Sequence, residues 1–383
     1  MRIALTTDDY NKRGGISRYV AELAENFAGQ HEVHVYATGW RDVCNKAIIF
    51  HKIPTISGPR VISSIPFTLQ CTVRLKLSRS KYDMIHINGC DSICQDIITA
   101  HSIHRAGMEF KKNEIEIRGH GFLDMFNLTI ETLNYSHRNY KKIIADSTSS
   151  KEELMKYYNV PDEDIAVIPL GVDLDEYKPL GKNKLTELRR KYRIDENDTV
   201  LLIVATEFYR KGVVELIRAV DIIVNRRGHK NIKLIVVGKA AVEGSRKGDE
   251  YYRELASKLG VGSKVLFTGH INDLNSFYNM ADIFVFPTKY EAFGIPTLEA
   301  MAAGLPVLNS KIGAGELITD GMDGIHLDDP NNIEEIADKL ETLIKDEKLR
   351  RYLGKNARST AMNYSWDETA RKTMDVYNIV LKN

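Results

Sequence analysis

Glu291 and Glu299 are the residues of this sequence best suited to binding a polar ligand. They follow an apolar run, Ile283–Phe286, that predicts a buried strand, and Pro296 and Gly304 are typical of the first turn and the end of a helix. A helix N-terminus entered from the C-terminal end of a strand is a ready site for anions. Two carboxylates beside an anion site suit a ligand with both phosphates and hydroxyls, such as a nucleotide sugar. The alternative is one surface glutamate and one that interacts with the helix dipole.

A second group of charged residues directly follows the predicted strand Val200–Ala205. Arg210 and Lys211 precede Gly212 at the start of the next helical pattern. Two cations close to a helix start suit a diphosphate, because the arginine fork binds two oxygens and the lysine adds a point charge. The alternative is a solvated basic turn, which the presence of Glu291 and Glu299 makes the weaker interpretation.

Two groups in the first half of the chain also follow predicted strands. Gly14 and Gly15 lie where backbone amides can approach a phosphate or a sugar closely, although an ordinary strand–helix turn is the alternative. The full dinucleotide fingerprint is missing, so an NAD site is not predicted. His101 ends the predicted strand Ile97–His101 and can hydrogen-bond a sugar, unless it is a satisfied core histidine. His86 fits a structural role and a site role equally well.

The elements that position these residues are short apolar runs separated by longer helical patterns. Several runs are rich in Ile and Val with little polar alternation, which is typical of parallel strands buried on both faces. The repetition occurs twice, and 383 residues suit two domains, so we expect an α/β protein with two doubly wound, Rossmann-like domains facing across a cleft. The predicted strands are Arg2–Thr6, Glu32–Ala37, Ala47–His51, Met84–Ile87, Ile97–His101, Lys142–Asp146, Ile165–Ile168, Val200–Ala205, Lys233–Val237, Val265–Thr268, Ile283–Phe286 and Val307–Asn309, and the predicted helices include Ser17–Phe27, Ser150–Tyr158, Val213–Arg226, Asp249–Leu259 and Ile333–Leu353.

The same patterns predict the domain boundaries. Residues 1–170 form the first domain and 196–363 the second, and between them 171–195 is a linker in which Gly and Pro cluster. The segment 364–383 is amphipathic, and we expect it to pack on the first domain as a closing helix. Ligands in this architecture bind at the C-terminal ends of the strands, so we expect the groups above to meet in the crevice between the domains.

Composition argues against several classes of partner and site. The formal net charge of +1 gives no case for nucleic acid as a partner. No Cys/His spacing resembles a zinc site, and Asp173 and Asp175 lie in the linker rather than in a metal motif. There is no run of 18 apolar residues, and the chain begins with a predicted strand, so we expect a cytoplasmic protein.

One basic, partly apolar stretch does not belong to the predicted ligand site. A membrane-surface helix, a patch for an anionic acceptor and a solvated helix face are all consistent with it. Peripheral contact with the inner face of the cell membrane is therefore one of three alternatives. Its residues are Ile65-Pro66-Phe67, Arg74, Lys76, Arg79, Lys81, Arg105, Lys111 and Lys112.

The candidate ligand-binding residues and the hinge together resemble those of the retaining GT-B glycosyltransferases of family 4, also called glycosyl transferases group 1. The resemblance covers nearly the whole chain, and it implies a GT-B fold with an N-terminal acceptor-binding domain and a C-terminal donor-binding domain. It rests on Glu291 and Glu299 with Phe293-Gly294 between them, on Arg210-Lys211-Gly212, on Gly14-Gly15 and on the hinge Ile168–Asp173.

The resemblance also implies roles for individual residues. Glu299 is expected to hold the ribose hydroxyls, and Glu291 to lie beside the donor sugar. Arg210 and Lys211 are expected to bind the diphosphate, and His101 to contact the sugar. The implied catalytic set is therefore Glu291, His101, Arg210 and Lys211, and the donor-binding set adds Gly14, Gly15, Gly269, Phe293, Gly294, Ile295 and Glu299.

Two positions depart from the family pattern. Ala205-Thr206-Glu207 stands where the family usually has a Gly-Arg dipeptide, so Arg210 would supply the arginine. The form Phe-x-Arg-Lys-Gly at Phe208–Gly212 is similar to that of some lipopolysaccharide-core transferases. Gly313-Ala314-Gly315-Glu316 replaces the common Gly-x-Pro-Glu.

The activity implied is retaining transfer of a sugar from a nucleotide-diphosphate sugar, with UDP favoured. The acceptor would be a saccharide or a lipid-linked glycan, as in the synthesis of cell-envelope polysaccharides. No metal or other cofactor is expected, because the cations and the helix N-terminus would stabilise the leaving diphosphate. Two alternatives stay open. They are a phosphorylase or epimerase acting on a nucleotide sugar or sugar phosphate, and a non-catalytic subunit that binds a glycan or a nucleotide.

Overall fold

The computed structural model describes residues 1–55, 60–114, 121–241 and 248–382. Contacts divide the chain into two compact units, which we call the first unit (Met1–Gly171 with Tyr364–Asn383) and the second unit (Val172–Asn363). In both units short, apolar β-strands alternate with helices. Strands that are covered on both faces must be apolar throughout, whereas each helix buries only one of its faces.

The first unit is built on a parallel sheet. Its strands are β1 Arg2–Thr6, β3 Glu32–Ala37, β5 Ile49–Lys52, β6 Met84–Asn88, β7 Ile97–Ala100, β8 Lys142–Ala145 and β9 Ile165–Val167, and the short β2 Asp9–Tyr10 and β4 Gly39–Trp40 pair separately. The seven strands of the main sheet follow the order β5-β3-β1-β6-β7-β8-β9. The helices that cover it are α1 Gly15–Phe27, α2 Arg60–Leu77, α3 His104–Glu114, α4 Phe122–Glu131 and α5 Thr148–Tyr158.

The second unit contains a parallel sheet of its own. Its strands are β10 Thr199–Val204, β11 Ile232–Val237, β12 Val265–Gly269, β13 Ile283–Phe286, β14 Val307–Ser310 and β15 Ile325–Leu327. These six strands follow the order β12-β11-β10-β13-β14-β15, so β10 and β13 are neighbours although a long stretch of chain separates them. The helices are α6 Lys182–Lys191, α7 Val213–Asp221, α8 Gly248–Lys258, α9 Leu274–Met280, α10 Ile295–Ala302, α11 Ile333–Lys345 and α12 Glu347–Ala361.

The last helix, α13 Trp366–Lys382, belongs to the first unit. The hydroxyl of Tyr377 lies 2.7 Å from Nδ1 of His86 on β6, and the hydroxyl of Thr369 donates to the carbonyl of Pro169 at 3.0 Å. A Cβ at Gly171 would collide with the backbone of Trp366, so the chain can approach the start of α13 this closely only at a glycine.

The predicted fold class is confirmed, since each unit is a doubly wound α/β sheet of the Rossmann-like kind. Several elements differ from the prediction. The strands β2, β4 and β15 were not predicted, the strand expected at Ala47–His51 is Ile49–Lys52, and the linker 171–195 contains α6. No helix within the described ranges is long and apolar enough to span a membrane.

The helix predicted over Ile333–Leu353 is in fact two helices, α11 and α12. Asp346 interrupts the pattern because its backbone is extended, with φ −113° and ψ 90°. Its carboxylate accepts a hydrogen bond from the amide of Leu349 at 2.9 Å, which is the geometry of a helix N-cap. The apolar periodicity continues across this cap, so periodicity alone did not reveal the break.

Candidate functional site

Two loops of the second unit lie side by side because β10 and β13 are neighbouring parallel strands. We call residues 205–212, between β10 and α7, the basic loop, and residues 287–294, between β13 and α10, the glutamate loop. The amide of Lys289 donates to the carbonyl of Arg210 at 2.9 Å, which joins the two loops. Gly212 has φ 75°, and a Cβ there would collide with the backbone of the glutamate loop, so this close approach requires glycine.

The guanidinium group of Arg210 contacts both loops. Its Nε and Nη2 donate to one carboxylate oxygen of Glu207, at 3.1 and 2.8 Å. Its Nη1 donates to the carbonyl of Tyr290 at 2.7 Å and lies 3.7 Å from Oε1 of Glu291. Arg210 is therefore oriented by residues of its own chain, and a carboxylate occupies its Nε/Nη2 edge.

Lys211 lies deeper than Arg210 and pairs with the predicted sugar-site glutamate. Its Nζ contacts Oε2 of Glu291 and lies 4.9 Å from the centre of the Phe286 ring. Burial, and then the charge of Arg210, lower the pKa of Lys211 well below its usual value. The charge of Glu207 opposes this lowering of the pKa. The contact with the Glu291 carboxylate also favours the ammonium form, because an opposite charge stabilises the charged state.

Lys289 and Glu215 form a further ion pair, which supports the glutamate loop from within the protein. Nζ of Lys289 lies 2.9 Å from Oε1 of Glu215 in the first turn of α7, and it lies 3.9 Å from the centre of the Tyr209 ring. Both charged side chains are nearly buried. Removing one partner of such a pair leaves an uncompensated buried charge, so the pair holds the glutamate loop to the first turn of α7, which directly follows the basic loop.

The N-terminus of α10 adds backbone donors next to these charges. Gly294 precedes the helix at φ 85°, and its Cβ position would lie 3.1 Å from Cγ of Glu291. Within the described part of the chain, the amides of Phe293, Gly294 and Ile295 donate to no other residue. Pro296, in the first helical turn, has no amide hydrogen to satisfy. Unpaired amides at a helix start attract anions.

Glu299 is buried one turn into α10, and a tyrosine orients its carboxylate. The hydroxyl of Tyr278 donates to Oε2 of Glu299 at 2.7 Å. Burial, and then the nearby charge of Glu299, raise the pKa of Tyr278 well above its usual value, so the phenol keeps its proton and acts as the donor. Sequence reasoning missed Tyr278, because nothing in the spacing of 21 positions links it to Glu299.

Gly269 lies in a turn that packs beside the basic loop. It ends β12 at φ 71°, and its carbonyl accepts a hydrogen bond from the amide of Gly238 at 2.9 Å. Gly238 has φ 115°, and a Cβ there would collide with the carbonyl of Ala205. The loops after β11 and β12 therefore approach the start of the basic loop through backbone rather than side chains.

In the first unit, His101 is held at both ring nitrogens. Nδ1 lies 2.8 Å from Oδ2 of Asp146, and Nε2 lies 2.9 Å from Oδ1 of Asn88. The amide nitrogen of Asn88 donates to the carbonyl of Thr6 at 2.6 Å, which turns the amide oxygen toward the imidazole. A sugar hydroxyl that bonded either ring nitrogen would have to replace one of these partners.

The Gly14-Gly15 turn is organised by Asn11. The side-chain oxygen of Asn11 accepts hydrogen bonds from the amides of Arg13 and Gly14, at 2.8 and 3.2 Å. Gly14 then precedes α1 with an extended backbone, and Gly15 is the first residue of the helix. The amide of Gly14 is therefore already engaged, and the exposed start of α1 at Gly15 is what this turn offers to an anion.

His86, for which two roles were left open, is part of the core of the first unit. Nδ1 lies 2.7 Å from the hydroxyl of Tyr377, and Nε2 lies 2.6 Å from the hydroxyl of Thr99, which in turn bonds the hydroxyl of Tyr19 at 2.9 Å. Burial, and then the charge of His101, lower the pKa of His86 to about 3. The network fastens α13 and α1 to the sheet, so the structure supports the structural role.

The predicted site residues thus fall into two sets. The second unit brings Arg210, Lys211 and Glu291 into direct contact at the start of α10, and Glu299 lies inside that helix. Gly14, Gly15 and His101 belong to the first unit. Among the described residues, no group of three or more His, Cys, Asp or Glu side chains could hold a metal ion. The partners that sequence reasoning missed are Glu207, Tyr278, Asn88 and Asp146.

Comparisons with known proteins identify the family. Residues 185–360 match the model described as glycosyl transferases group 1, and residues 13–176 match the model described as glycosyltransferase family 4. An uncharacterized glycosyltransferase of Methanocaldococcus jannaschii is 30% identical over an alignment that covers 100% of this chain and 99% of that protein. The chain belongs to the group 1, family 4 glycosyltransferases.

Other similar proteins agree with this assignment. The glycosyltransferase is 30% identical to a D-inositol 3-phosphate glycosyltransferase of Corynebacterium glutamicum over 63% of this chain and 58% of that protein. Its fold matches that of WaaG, a glycosyltransferase involved in lipopolysaccharide biosynthesis, with a TM-score of 0.79, 25% identity and coverage of 98% and 99% of the two chains. The fold is therefore GT-B, and the chain is a transferase enzyme.

The buried His86 generates a prediction for the glycosyltransferase. Folded protein keeps this imidazole neutral with a pKa of about 3, whereas in the unfolded chain it titrates near its usual 6.5. Below pH 6.5 the unfolded state binds the extra proton, so wild type loses stability by up to about 1.4 kcal/mol per pH unit. His86→Gln lacks this loss. We expect the variant to be less stable than wild type at pH 7. The difference between their free energies of unfolding should become smaller by about 2 kcal/mol at pH 5.

The measurement is urea unfolding of both proteins at pH 5, 6 and 7. The exposed His137 offers the control, since His137→Gln should leave the free energy of unfolding unchanged relative to wild type at each pH. A wild-type-to-variant difference that stays constant with pH would contradict the buried, neutral assignment of His86.

Proposed function

We propose that this glycosyltransferase transfers a sugar from a nucleotide-diphosphate sugar with retention of anomeric configuration and without a metal ion. The single observation that carries the proposal is the contact of Arg210, Lys211 and Glu291 beside the N-terminus of α10. Two cations and a set of unpaired amides suit a diphosphate, and a carboxylate next to them suits sugar hydroxyls. The second unit would bind the donor, and the first unit the acceptor.

The leaving diphosphate sets the requirements of the reaction. Breaking the bond between the sugar and the phosphate increases the negative charge on the diphosphate oxygens. Arg210, Lys211 and the amides of Phe293, Gly294 and Ile295 would stabilise that charge, because they are fixed by the fold before the substrate arrives. This is the source of the proposed metal independence, since the positive charge that a metal would supply comes from side chains and a helix N-terminus.

The two glutamates would have different tasks. Glu299, whose carboxylate is oriented by Tyr278, would accept hydrogen bonds from the ribose hydroxyls. Glu291 would bind the transferred sugar. Its contact with Lys211 favours the charged carboxylate, so we do not assign it as a general acid. We also do not assign it as a nucleophile. His101 is proposed as a further contact of the sugar, in which a sugar hydroxyl would take the place of Asn88 or Asp146 at one ring nitrogen.

The proposed donor and acceptor classes also draw on similar proteins. HepE of Anabaena, which has the same fold at 18% identity and a TM-score of 0.75 over 99% of each chain, has been crystallised with UDP-glucose. CapM of Staphylococcus aureus, a capsular polysaccharide biosynthesis glycosyltransferase, is 31% identical over 63% of this chain and 62% of that protein. We therefore propose a UDP-sugar as the donor and a cell-envelope glycan as the acceptor.

A lipid-linked acceptor is supported by the exposed face of α2. Leu69, Val73 and Leu77 follow one another at single-turn intervals, and 56%, 56% and 81% of their surfaces are exposed. The exposed Arg74 and Lys76 lie on the same helix. Apolar residues beside basic ones suit the surface of a membrane that contains anionic lipids.

Other parts of the basic stretch are engaged within the protein. Arg79 forms an ion pair with Asp96 at 2.8 Å, and Arg105 lies 5.9 Å from the centre of the Tyr157 ring. Arg74 also bonds within the protein, since its Nη1 donates to the carbonyl of Lys52 at 2.7 Å, but both Arg74 and Lys76 are exposed. We propose that α2 lies on the membrane surface and that the enzyme meets its lipid-linked acceptor there.

The role of the cations predicts the effect of Lys211→Ala. Losing one preorganised donor to the leaving group should lower kcat/KM roughly a hundredfold, or about 3 kcal/mol. The measurement is release of nucleoside diphosphate from the donor sugar that gives the largest thermal shift in a panel of nucleotide sugars, and NMR of the product reports its anomeric configuration. The control is Lys258→Ala, because Lys258 also pairs with a glutamate, Glu254, but on an exposed helix face. Equal activity of Lys211→Ala and wild type would rule out the proposed role.

Metal independence predicts that chelation leaves the activity unchanged. We expect the same initial rate of transfer in EDTA as in Mg²⁺, because no step requires a cation other than those of the protein. The assay is the same diphosphate release after dialysis against EDTA, with Mg²⁺ added back as the comparison. A rate that falls to background in EDTA and returns with Mg²⁺ would refute this part of the proposal.

The membrane proposal predicts that α2 mediates binding to vesicles. A variant with Leu69→Ser, Val73→Ser and Leu77→Ser should cosediment with vesicles that contain anionic phospholipid at least roughly tenfold less than wild type, because each exposed apolar side chain contributes to insertion. The control carries Met322→Ser and Met362→Ser, which are exposed to 54% and 61%. Equal cosedimentation of the α2 variant and wild type would contradict the proposal.

A further inference from the structure

The charges at the start of α10 compensate one another before any ligand arrives. Two cations, Arg210 and Lys211, face two carboxylates, Glu207 and Glu291. The Nε/Nη2 edge of Arg210, which is the edge best suited to grip a phosphate, is occupied by Glu207. A doubly negative diphosphate cannot add to this arrangement without repulsion from at least one carboxylate.

The two carboxylates differ in how easily they can move. The side chain of Glu291 is only 10% exposed. Its Cγ lies 3.1 Å from the position that a Cβ on Gly294 would occupy, so it packs closely against this glycine. The side chain of Glu207 is 33% exposed and belongs to the basic loop, where solvent is within reach. Displacing Glu207 costs less, because its carboxylate can be rehydrated whereas that of Glu291 would stay shielded from water.

The geometry of the Arg210 contact also favours exchange. Glu207 uses one oxygen, Oε2, to accept from both Nε and Nη2. A phosphate group can present two oxygens to the same two donors, which is the preferred, bidentate arrangement of a guanidinium with an oxyanion. A phosphate can therefore make a better contact with this edge of Arg210 than Glu207 makes.

We infer that Glu207 is an internal substitute for the donor's diphosphate: it occupies Arg210 in the donor-free enzyme and moves to solvent when the donor binds. This rests on the proposed function, in which Arg210 and Lys211 bind the diphosphate. Glu207 then has two effects. It keeps Arg210 oriented and compensated while the site is empty, and it competes with the nucleoside diphosphate product, which favours product release. Glu207 is thus a positioning residue that determines how tightly the donor and the product bind.

The test is the affinity of nucleoside diphosphates for Glu207→Gln, measured by isothermal titration calorimetry. The probe is whichever of UDP, GDP, ADP and dTDP binds wild type most tightly, and its nucleoside serves as the uncharged comparison. We expect the Kd of the diphosphate to fall by about three- to tenfold, because the variant lacks the repulsion from one partly exposed carboxylate. The Kd of the nucleoside should stay the same. Glu207→Ala should give the same direction and serves as the second variant if the first does not fold.

The chain offers a matched control in Glu368→Gln. Glu368 pairs with Arg371 at 2.7 Å with the same spacing of three residues, but it lies on α13 in the first unit. This variant should bind the diphosphate as wild type does. A Kd that is unchanged in both Glu207 variants, or one that rises, would overturn the inference, since the carboxylate would then not compete with the ligand.

Arg210→Ala separates this inference from the proposed function. If Arg210 binds the diphosphate, its removal should raise the Kd of the diphosphate at least roughly a hundredfold, because charged hydrogen bonds are lost. Unchanged binding by Arg210→Ala would refute the proposed donor site itself. Weakened binding by Arg210→Ala, together with no gain in Glu207→Gln, would leave the donor site intact and reject only the exchange.

Discussion

The contact between Lys211 and Glu291 is the interaction on which the rest of the donor site depends. It joins loops from two parallel strands, β10 and β13, that backbone hydrogen bonds hold side by side. Both charges are shielded from water, so neither is stable without the other or an equivalent ligand. Two glycines make the contact possible. Gly212 brings the basic loop against the glutamate loop, and Gly294 leaves room for the side chain of Glu291.

The ion pairs at these loops differ in how exposed they are to solvent. The buried pair stabilises the loops, and the more exposed pair can exchange its carboxylate for a ligand. Lys289 and Glu215 are nearly buried and fix the glutamate loop to α7, so exchanging either for a ligand would be costly. Arg210 and Glu207 lie nearer to solvent, where a carboxylate can be replaced by another oxyanion. An anion site can in this way remain compensated when empty and still accept a diphosphate, because only its outermost carboxylate has to move.

The sequence determined the fold class because Ile- and Val-rich runs leave few alternatives to buried parallel strands, and that prediction is confirmed. It also indicated that residues after two strands would serve one ligand, although the adjacency of β10 and β13 is a property of sheet order, which the spacing of residues does not encode. The partners of these residues could not be predicted for a related reason. Tyr278 reaches Glu299, and Tyr377 reaches His86, only through packing between elements distant in sequence. The helix break at Asp346 was not predicted, because the apolar periodicity continues across it.

Glu207, which departs from the family pattern, has a physical role in the empty site because it compensates the charge of Arg210. The residue adopts a left-handed backbone at φ 54°, which costs a residue other than glycine about 1–2 kcal/mol. A glycine would avoid that cost, but it would leave the Nε/Nη2 edge of Arg210 without the carboxylate that compensates it in the empty site. The two hydrogen bonds to Arg210 are charge-assisted and offset the backbone strain. When the product leaves, Arg210 is again without a compensating anion, and this favours the return of the Glu207 carboxylate in spite of the backbone strain.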